Sequence, residues 1–246
     1  MSLAGRRIAL TPGYLLHHQP WRDTGRILEI LTRDHGRLSV FARGVRGPKS
    51  KLAGLLQPFV PLLFSWTGRG EAPQLTGAEL DPGEAAPNAP LPAPCILSGF
   101  YLSELVLTLT VRHDPQPEIF SHYHRALLAL KGGAKLEREL RLFEKRLLDT
   151  LGYGIDLASV ADGEGLADSK YYHYRPSDGL HDAVADSPGR ISGATLRSLA
   201  EERLEEPAEL EQARLLLRVA LGQCLEGRSL KTRKVARSLF QLRQSA

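Results

Sequence analysis

Between Arg43 and Lys51 the chain reads Arg-Gly-Val-Arg-Gly-Pro-Lys-Ser-Lys, four cations in nine residues. Cations at this density, interrupted by glycine and proline, suit contact with phosphate better than they suit a packed element. No aspartate or glutamate occurs between His35 and Gly70. Arg37, Arg43, Arg46, Lys49, Lys51 and Arg69 are therefore expected to lack nearby carboxylate partners and to attract a polyanion by displacing its counterions. A second set, Lys231, Arg233, Lys234 and Arg237, falls in the stretch 227–246, which holds six basic residues and no acid. A third set, Arg138, Arg141 and Lys145, follows spacings of three and four, which align side chains on one helix face. Leu142, Phe143 and Leu147 flank that stripe, so it could accept acidic residues on its cations and an aromatic chain end beside them. The alternative is an exposed face neutralised by Glu137 and Glu144.

Other chemistry finds no support. Gly44 to Ser50 contains glycines, a lysine and a serine, but Pro48 separates Gly47 from Lys49, so the Gly-Lys-Ser/Thr triplet of a nucleotide-binding loop is missing. His122 and His124 straddle Tyr123, and two residues along a helix turn the side chain by about 200°, so they cannot share a metal from one face. His17 and His18 are no better placed, and neither a Gly-x-Ser-x-Gly elbow nor a Cys/His pairing nominates a nucleophile. Glu201, Glu202, Glu205 and Glu206 read as a solvated face. The two cysteines, Cys95 and Cys224, are too few for a disulfide framework and sit in apolar patterns, as small buried hydrophobes do. No catalytic residue, metal or cofactor is expected.

The elements that must carry these cations follow from composition and periodicity. The net charge of +4 divides unevenly: residues 1–80 carry +6, residues 227–246 carry +6, and residues 81–226 carry −8. A polyanion-binding module joined to a more acidic body would give this split. Strands are expected over Arg6 to Tyr14, Leu15 to Pro20 and Gly25 to Leu31, then over Arg37 to Ala42 after an Asp-His-Gly turn. A long basic loop from Arg43 to Gly54 precedes strands at Pro58 to Trp66 and Gln74 to Leu80. That set suits a small closed barrel of the OB type, on which Phe41 and Trp66 are either stacking surfaces for bases or core. The proline-rich run Asp81 to Pro94 marks a linker. Beyond it, helices are expected at Pro94 to Val111, Glu118 to Leu130, Lys135 to Leu151, Thr195 to Ala200 and Pro207 to Leu225, closed by the basic run Leu230 to Leu242. A small ribbon, Tyr171 to Tyr174 returning through Ser177-Asp-Gly to Leu180–Val184, interrupts them. The fold class is thus α+β: an OB-type barrel domain over 1–80, a linker over 81–94, and a mainly helical domain over 95–246 with the ribbon near 170–184. No apolar run approaches the roughly 20 residues of a membrane span. Met1 to Leu16 lacks the apolar core of a secretion signal, so a cytoplasmic protein is expected.

Several motifs resemble those of the RecO recombination mediators. They are Pro20-Trp-Arg-Asp-Thr-Gly25, the Gly36-Arg-Leu strand start, Ala42-Arg-Gly-Val-Arg46, Lys51-Leu-Ala-Gly-Leu-Leu-Gln-Pro-Phe59, Gly68-Arg-Gly-Glu71, Tyr101-Leu-Ser-Glu-Leu105, Leu151-Gly-Tyr-Gly154 and Leu230-Lys-Thr-Arg233. They fall in the family's order over nearly the whole chain. The resemblance implies an OB-type barrel followed by a helical domain, binding of single- and double-stranded DNA, and annealing of complementary strands in association with the nucleoid. It also implies partners: the acidic carboxy-terminal tail of single-stranded DNA-binding protein (SSB), RecR, and a functional link to RecA, with RecF a further candidate. Many relatives carry a four-cysteine zinc site in the ribbon, but Gly152 to Val184 has no cysteine. This chain therefore resembles the zinc-free branch, with Tyr171, Tyr172 and Tyr174 as anchors of the ribbon. The tail is expected on Arg138, Arg141, Leu142, Phe143 and Lys145, and DNA on the barrel loop and the terminal run. The competing classes are a generic OB-fold RNA-binding protein, which would read ribose hydroxyls, and a hydrolase, for which no residue is nominated.

Overall fold

The structure, a computed structural model, describes residues 7–47, 50–68, 70–83 and 90–244. The chain forms two compact units, one of Met1–Lys131 with Leu230–Ala246 and one of Gly132–Ser229. The division does not fall at the proline-rich run 81–94, because segments that precede and follow the second unit in the chain group with the barrel.

The first unit is built on five strands: β1 (Arg7–Trp21), β2 (Gly25–Thr32), β3 (Gly36–Ala42), β4 (Pro61–Thr67) and β5 (Gln74–Leu80). They close in the order β1-β2-β3-β5-β4, the Greek-key connectivity of an OB barrel. Leu15, Leu28, Ile30, Leu38, Val40 and Phe64 fill its interior. Alternation places them there, since every second residue of a strand faces inward. The two runs expected before Pro20 are one strand. Register shifts between Ile8 and Thr11 and between Leu15 and His17 coil β1 so that it pairs with β2 along one part and with β4 along another. Such bulges break the period-two pattern, which is why the sequence reads as two pieces.

Helices α1 (Ile96–Leu109) and α2 (Pro117–Lys131) complete this unit with α6 (Lys231–Gln244). Tyr14 of β1 is their joint: its ring meets Tyr123 edge-on at 5.3 Å and its hydroxyl lies 2.6 Å from His124 Nδ1. Tyr123 is buried, its hydroxyl 2.8 Å from that of Ser103 on α1, and burial pushes its phenol well above the ordinary value. The β2–β3 turn requires glycine at position 36, where φ is +65° and a Cβ would lie 2.0 Å from the Asp114 carbonyl oxygen. α6 begins where the Glu104 carboxylate of α1 accepts the backbone N–H groups of Lys231 (2.7 Å) and Thr232 (2.9 Å). An anion at that point satisfies orphan donors and complements the helix dipole.

The second unit packs α3 (Leu136–Thr150) against α5 (Pro207–Leu225), with α4 (Gly193–Ala200) beside α5. Pro207 in the first turn and a capping box between Glu206 and Glu209 start α5. The expected ribbon is present as β6 (Tyr171–Arg175) and β7 (Gly179–Ala183), joined by a short third strand β8 (Ile191–Ser192). Tyr172 is its buried anchor, accepting the Ala167 N–H at 2.8 Å, while Arg190 lies over the Tyr171 ring. Of the cysteines, Cys224 is buried, which pushes its thiol up. Cys95 is only half-buried, because it ends a short 3-10 turn (Ala93–Cys95) instead of lying inside a helix.

Candidate nucleic-acid interface

The loop between β3 and β4 is held from within and presents its cations outward. Val45 and Leu56 are buried against the barrel core while Arg43, Arg46 and Lys51 are exposed. Backbone bonds fold the segment on itself, from Gly47 N–H to Gly44 O (3.1 Å) and from Ser50 N–H to Gly47 O (3.0 Å). Arg46 fastens it to the β1–β2 turn: its N–H donates to Thr24 O at 2.9 Å and its Nη1 to Arg22 O at 3.4 Å. Arg43 leans over the Phe41 ring, 5.7 Å from its centre. Among the described residues no carboxylate pairs with Arg43, Arg46 or Lys51. Lys49 and Arg69, expected to act with them, lie outside the described residues.

Arg37 has a different place from the one expected. Its Nη1 donates to Glu29 Oε2 at 2.9 Å, its Nη2 to Thr110 O at 2.7 Å, and its Nε to Thr110 Oγ1 at 3.1 Å. Arg112 bridges both oxygens of the same carboxylate, and Ser39 donates to Oε1. Burial pushes the Glu29 carboxyl up, but the Arg112 and Ser39 hydrogen bonds, the Arg112 charge and the Arg37 bond outweigh it and hold the group below its ordinary value. Arg37 is therefore a staple between barrel and α1, not an open cation. The acid-free window around Arg37 exists along the chain only, whereas Glu29 faces Ser39 across the β2–β3 ladder and so lies diagonally from Arg37. Trp66, offered for stacking, is core, and Phe41 is half-buried.

The terminal cations start from an anchored turn. Arg233 donates to Tyr101 Oη at 3.1 Å and stacks on that ring. Lys231, Lys234 and Arg237 are exposed.

On α3 the stripe is present but internal. Leu142, Phe143 and Arg141 are buried, and Arg141 Nη2 donates to Glu144 Oε1 at 2.7 Å. Arg138 donates to the carbonyls of Arg203 and Glu202, both at 2.7 Å. Lys145 Nζ pairs with Asp149 at 3.0 Å and faces Glu202, which also receives Arg146. The expectation that Arg141, Leu142 and Phe143 form an open surface is thus corrected: helical spacing aligns them, and the aligned face packs into the unit. Glu202 of the acidic run is part of that packing.

Two features have no assigned role in the sequence. Arg112 completes the Glu29 cluster from 83 residues away, a separation that no local pattern reveals. Trp21 and Arg22, part of the Pro20–Gly25 motif in the sequence, sit at the β1–β2 turn that Arg46 grips; nothing in the sequence separates exposed Trp21 from buried Trp66. Among the described residues no group of three or more His, Cys, Asp and Glu side chains is placed to hold a metal ion. No helix among them is long and apolar enough to cross a membrane.

The family model for the recombination protein O N terminal matches residues 7–81, and the model for the recombination protein O C terminal matches residues 96–234. The chain is 42% identical over 248 residues to the DNA repair protein RecO of Chromobacterium violaceum, covering 98% of this chain and 99% of that protein. It is 40% identical over 233 residues to the DNA repair protein RecO of Methylococcus capsulatus, covering 94% of each. It is 38% identical over 245 residues to the DNA repair protein RecO of an Azoarcus species, covering 96% of this chain and 98% of that one.

Proposed function

The chain belongs to the RecO family of DNA repair proteins, and from that premise we propose that it binds single- and double-stranded DNA, anneals complementary strands, and helps RecA load onto SSB-coated DNA together with RecR. The observation that carries this reading is the barrel loop, where Arg43, Arg46 and Lys51 stand exposed on an apolar footing with no carboxylate partner among the described residues. Cations so placed can neutralise phosphates on two strands at once. Strand repulsion is what slows pairing, so lowering it accelerates annealing without a chemical step. Lys231, Lys234 and Arg237 add a second set.

SSB's acidic tail is proposed to approach α3 at Arg138 and Lys145, the two half-buried cations of the stripe. Each would exchange an internal acceptor for a tail carboxylate. RecR, RecA and RecF are proposed as partners within the same reading, and the nucleoid as the place of action.

The test is annealing of complementary strands coated with SSB, with and without this protein, across a salt series and again with SSB lacking its tail. Fast annealing that fades with salt and depends on the tail is expected. No acceleration under any condition by folded protein would overturn the reading. A preference for RNA over DNA of the same sequence would redirect it to an RNA-binding role.

A further inference from the structure

The chain has two tryptophans, and the barrel treats them oppositely. Trp66 is 4% exposed in the core, whereas Trp21, the last residue of β1, is 44% exposed. The residue opposite Trp21 in the ladder is Gly25, so no cross-strand side chain covers the indole. That glycine is required, because a Cβ there would lie 2.8 Å from Trp21 O and 3.1 Å from Phe41 Cε2. The backbone approach that closes the turn is the same one that leaves the indole uncovered.

The turn that follows the indole carries and receives cations. Arg22 follows it in the chain and is exposed, Arg46 bonds to Arg22 O and Thr24 O, and Arg43 lies over the ring of Phe41, whose edge borders Gly25. One acid, Asp23, shares the turn. The chain neighbours Gln19, Pro20 and Thr24 are also exposed, while Ile27 and Phe41, on the same face of the sheet by register, are half-buried. An aromatic anchor for a protein partner would be ringed by apolar contacts that exclude water. An exposed indole on a turn that also carries Arg22 and is gripped by Arg46 suits the alternation of base and phosphate along a single strand.

Resting on the DNA-binding reading above, we infer that Trp21 is a stacking platform for an unpaired nucleobase, with Arg22, Arg43 and Arg46 on the flanking phosphates. A duplex interior offers no free base face, so this site favours single strands. It also supplies a release step: once two strands pair, the base leaves the indole and the protein's hold on the product weakens.

Tryptophan emission reads the site directly, because Trp66 is shielded in the core. Titration with oligothymidylate is expected to quench the Trp21 contribution, and duplex is expected to change it little. Trp21→Ala should weaken oligothymidylate binding by about five- to 150-fold while duplex affinity stays within about twofold, since phosphate contacts remain. Trp21→Phe, which keeps a stacking ring, should retain most of the affinity and guards against a variant that merely misfolds. An oligonucleotide of abasic sites should bind wild type and Trp21→Ala equally. Tight oligothymidylate binding with unchanged emission, or equal losses for single strand and duplex in Trp21→Ala, overturns the inference while leaving the DNA-binding reading intact. Wild-type protein that binds no DNA overturns both.

Discussion

The cations of the barrel loop and those of α3 are equally conspicuous as patterns, and they end in opposite surroundings. Arg43, Arg46 and Lys51 stand on a loop whose apolar residues point inward and whose charges have no carboxylate among the described residues. Arg138, Arg141, Lys145 and Arg146 are spent on Glu144, Asp149, Glu202 and two backbone carbonyls of their own unit. Arg37 crosses the line between these classes: it belongs to the loop's run in sequence and to an internal ion cluster in space. Charge density thus marks where cations are, and only their partners decide whether they bind a ligand or hold the fold.

Perturbing the fold-holding cations should cost stability. The largest effect is expected for Glu29→Gln, which leaves Arg37 and Arg112 without their shared carboxylate; unfolding free energy should fall by about 3–5 kcal/mol, read from urea midpoints. Because folded Glu29 is held below its ordinary value, its contribution is complete above the pH where an unfolded glutamate ionises. It is lost as pH falls through the lower folded value, so wild type and variant should converge in acid. A gap that widens toward low pH would contradict the cluster. Arg141→Ala should lower stability by about 3 kcal/mol and leave affinity for naked DNA unchanged; a DNA-binding defect in a stable variant would place Arg141 on the surface after all. Arg138→Ala should cost roughly 1–2 kcal/mol for its lost hydrogen bonds and weaken SSB-tail binding, measured by fluorescence anisotropy of a labelled tail peptide. Unchanged tail affinity would remove α3 from the docking proposal. The smallest effect is expected for Lys234→Gln with Arg237→Gln: no change in Tm, and a log–log salt dependence of single-strand binding shallower by about 1.

Much of the architecture was legible because local signals agreed. β5 and α5 match their expected limits, since Gln74–Leu80 is bounded by turn residues and Pro207 opens α5. The ribbon was readable from tyrosine alternation and a Ser-Asp-Gly turn. β1 was not read as a whole, because bulges shift its alternation. The loop cations were legible as a cluster, but the fate of Arg37 was not: its partners come from the neighbouring strand and from residues 110 and 112 beyond α1. The α3 stripe shows the reverse failure. Spacing correctly aligned its residues, yet a face bearing Leu142 and Phe143 is also what an interior helix needs, and the carboxylates beside it favour packing. Trp21 lay within a recognised motif without a role, since exposure is a tertiary property that its sequence position does not encode.

The most direct test of the account is the salt dependence of oligothymidylate binding by wild type and by a variant carrying Arg43→Gln, Arg46→Gln and Lys51→Gln. With three phosphate contacts removed, the log–log slope should become shallower by about 2 while Tm stays unchanged. An unchanged slope in the folded variant would contradict the claim that the barrel loop is where this protein meets DNA.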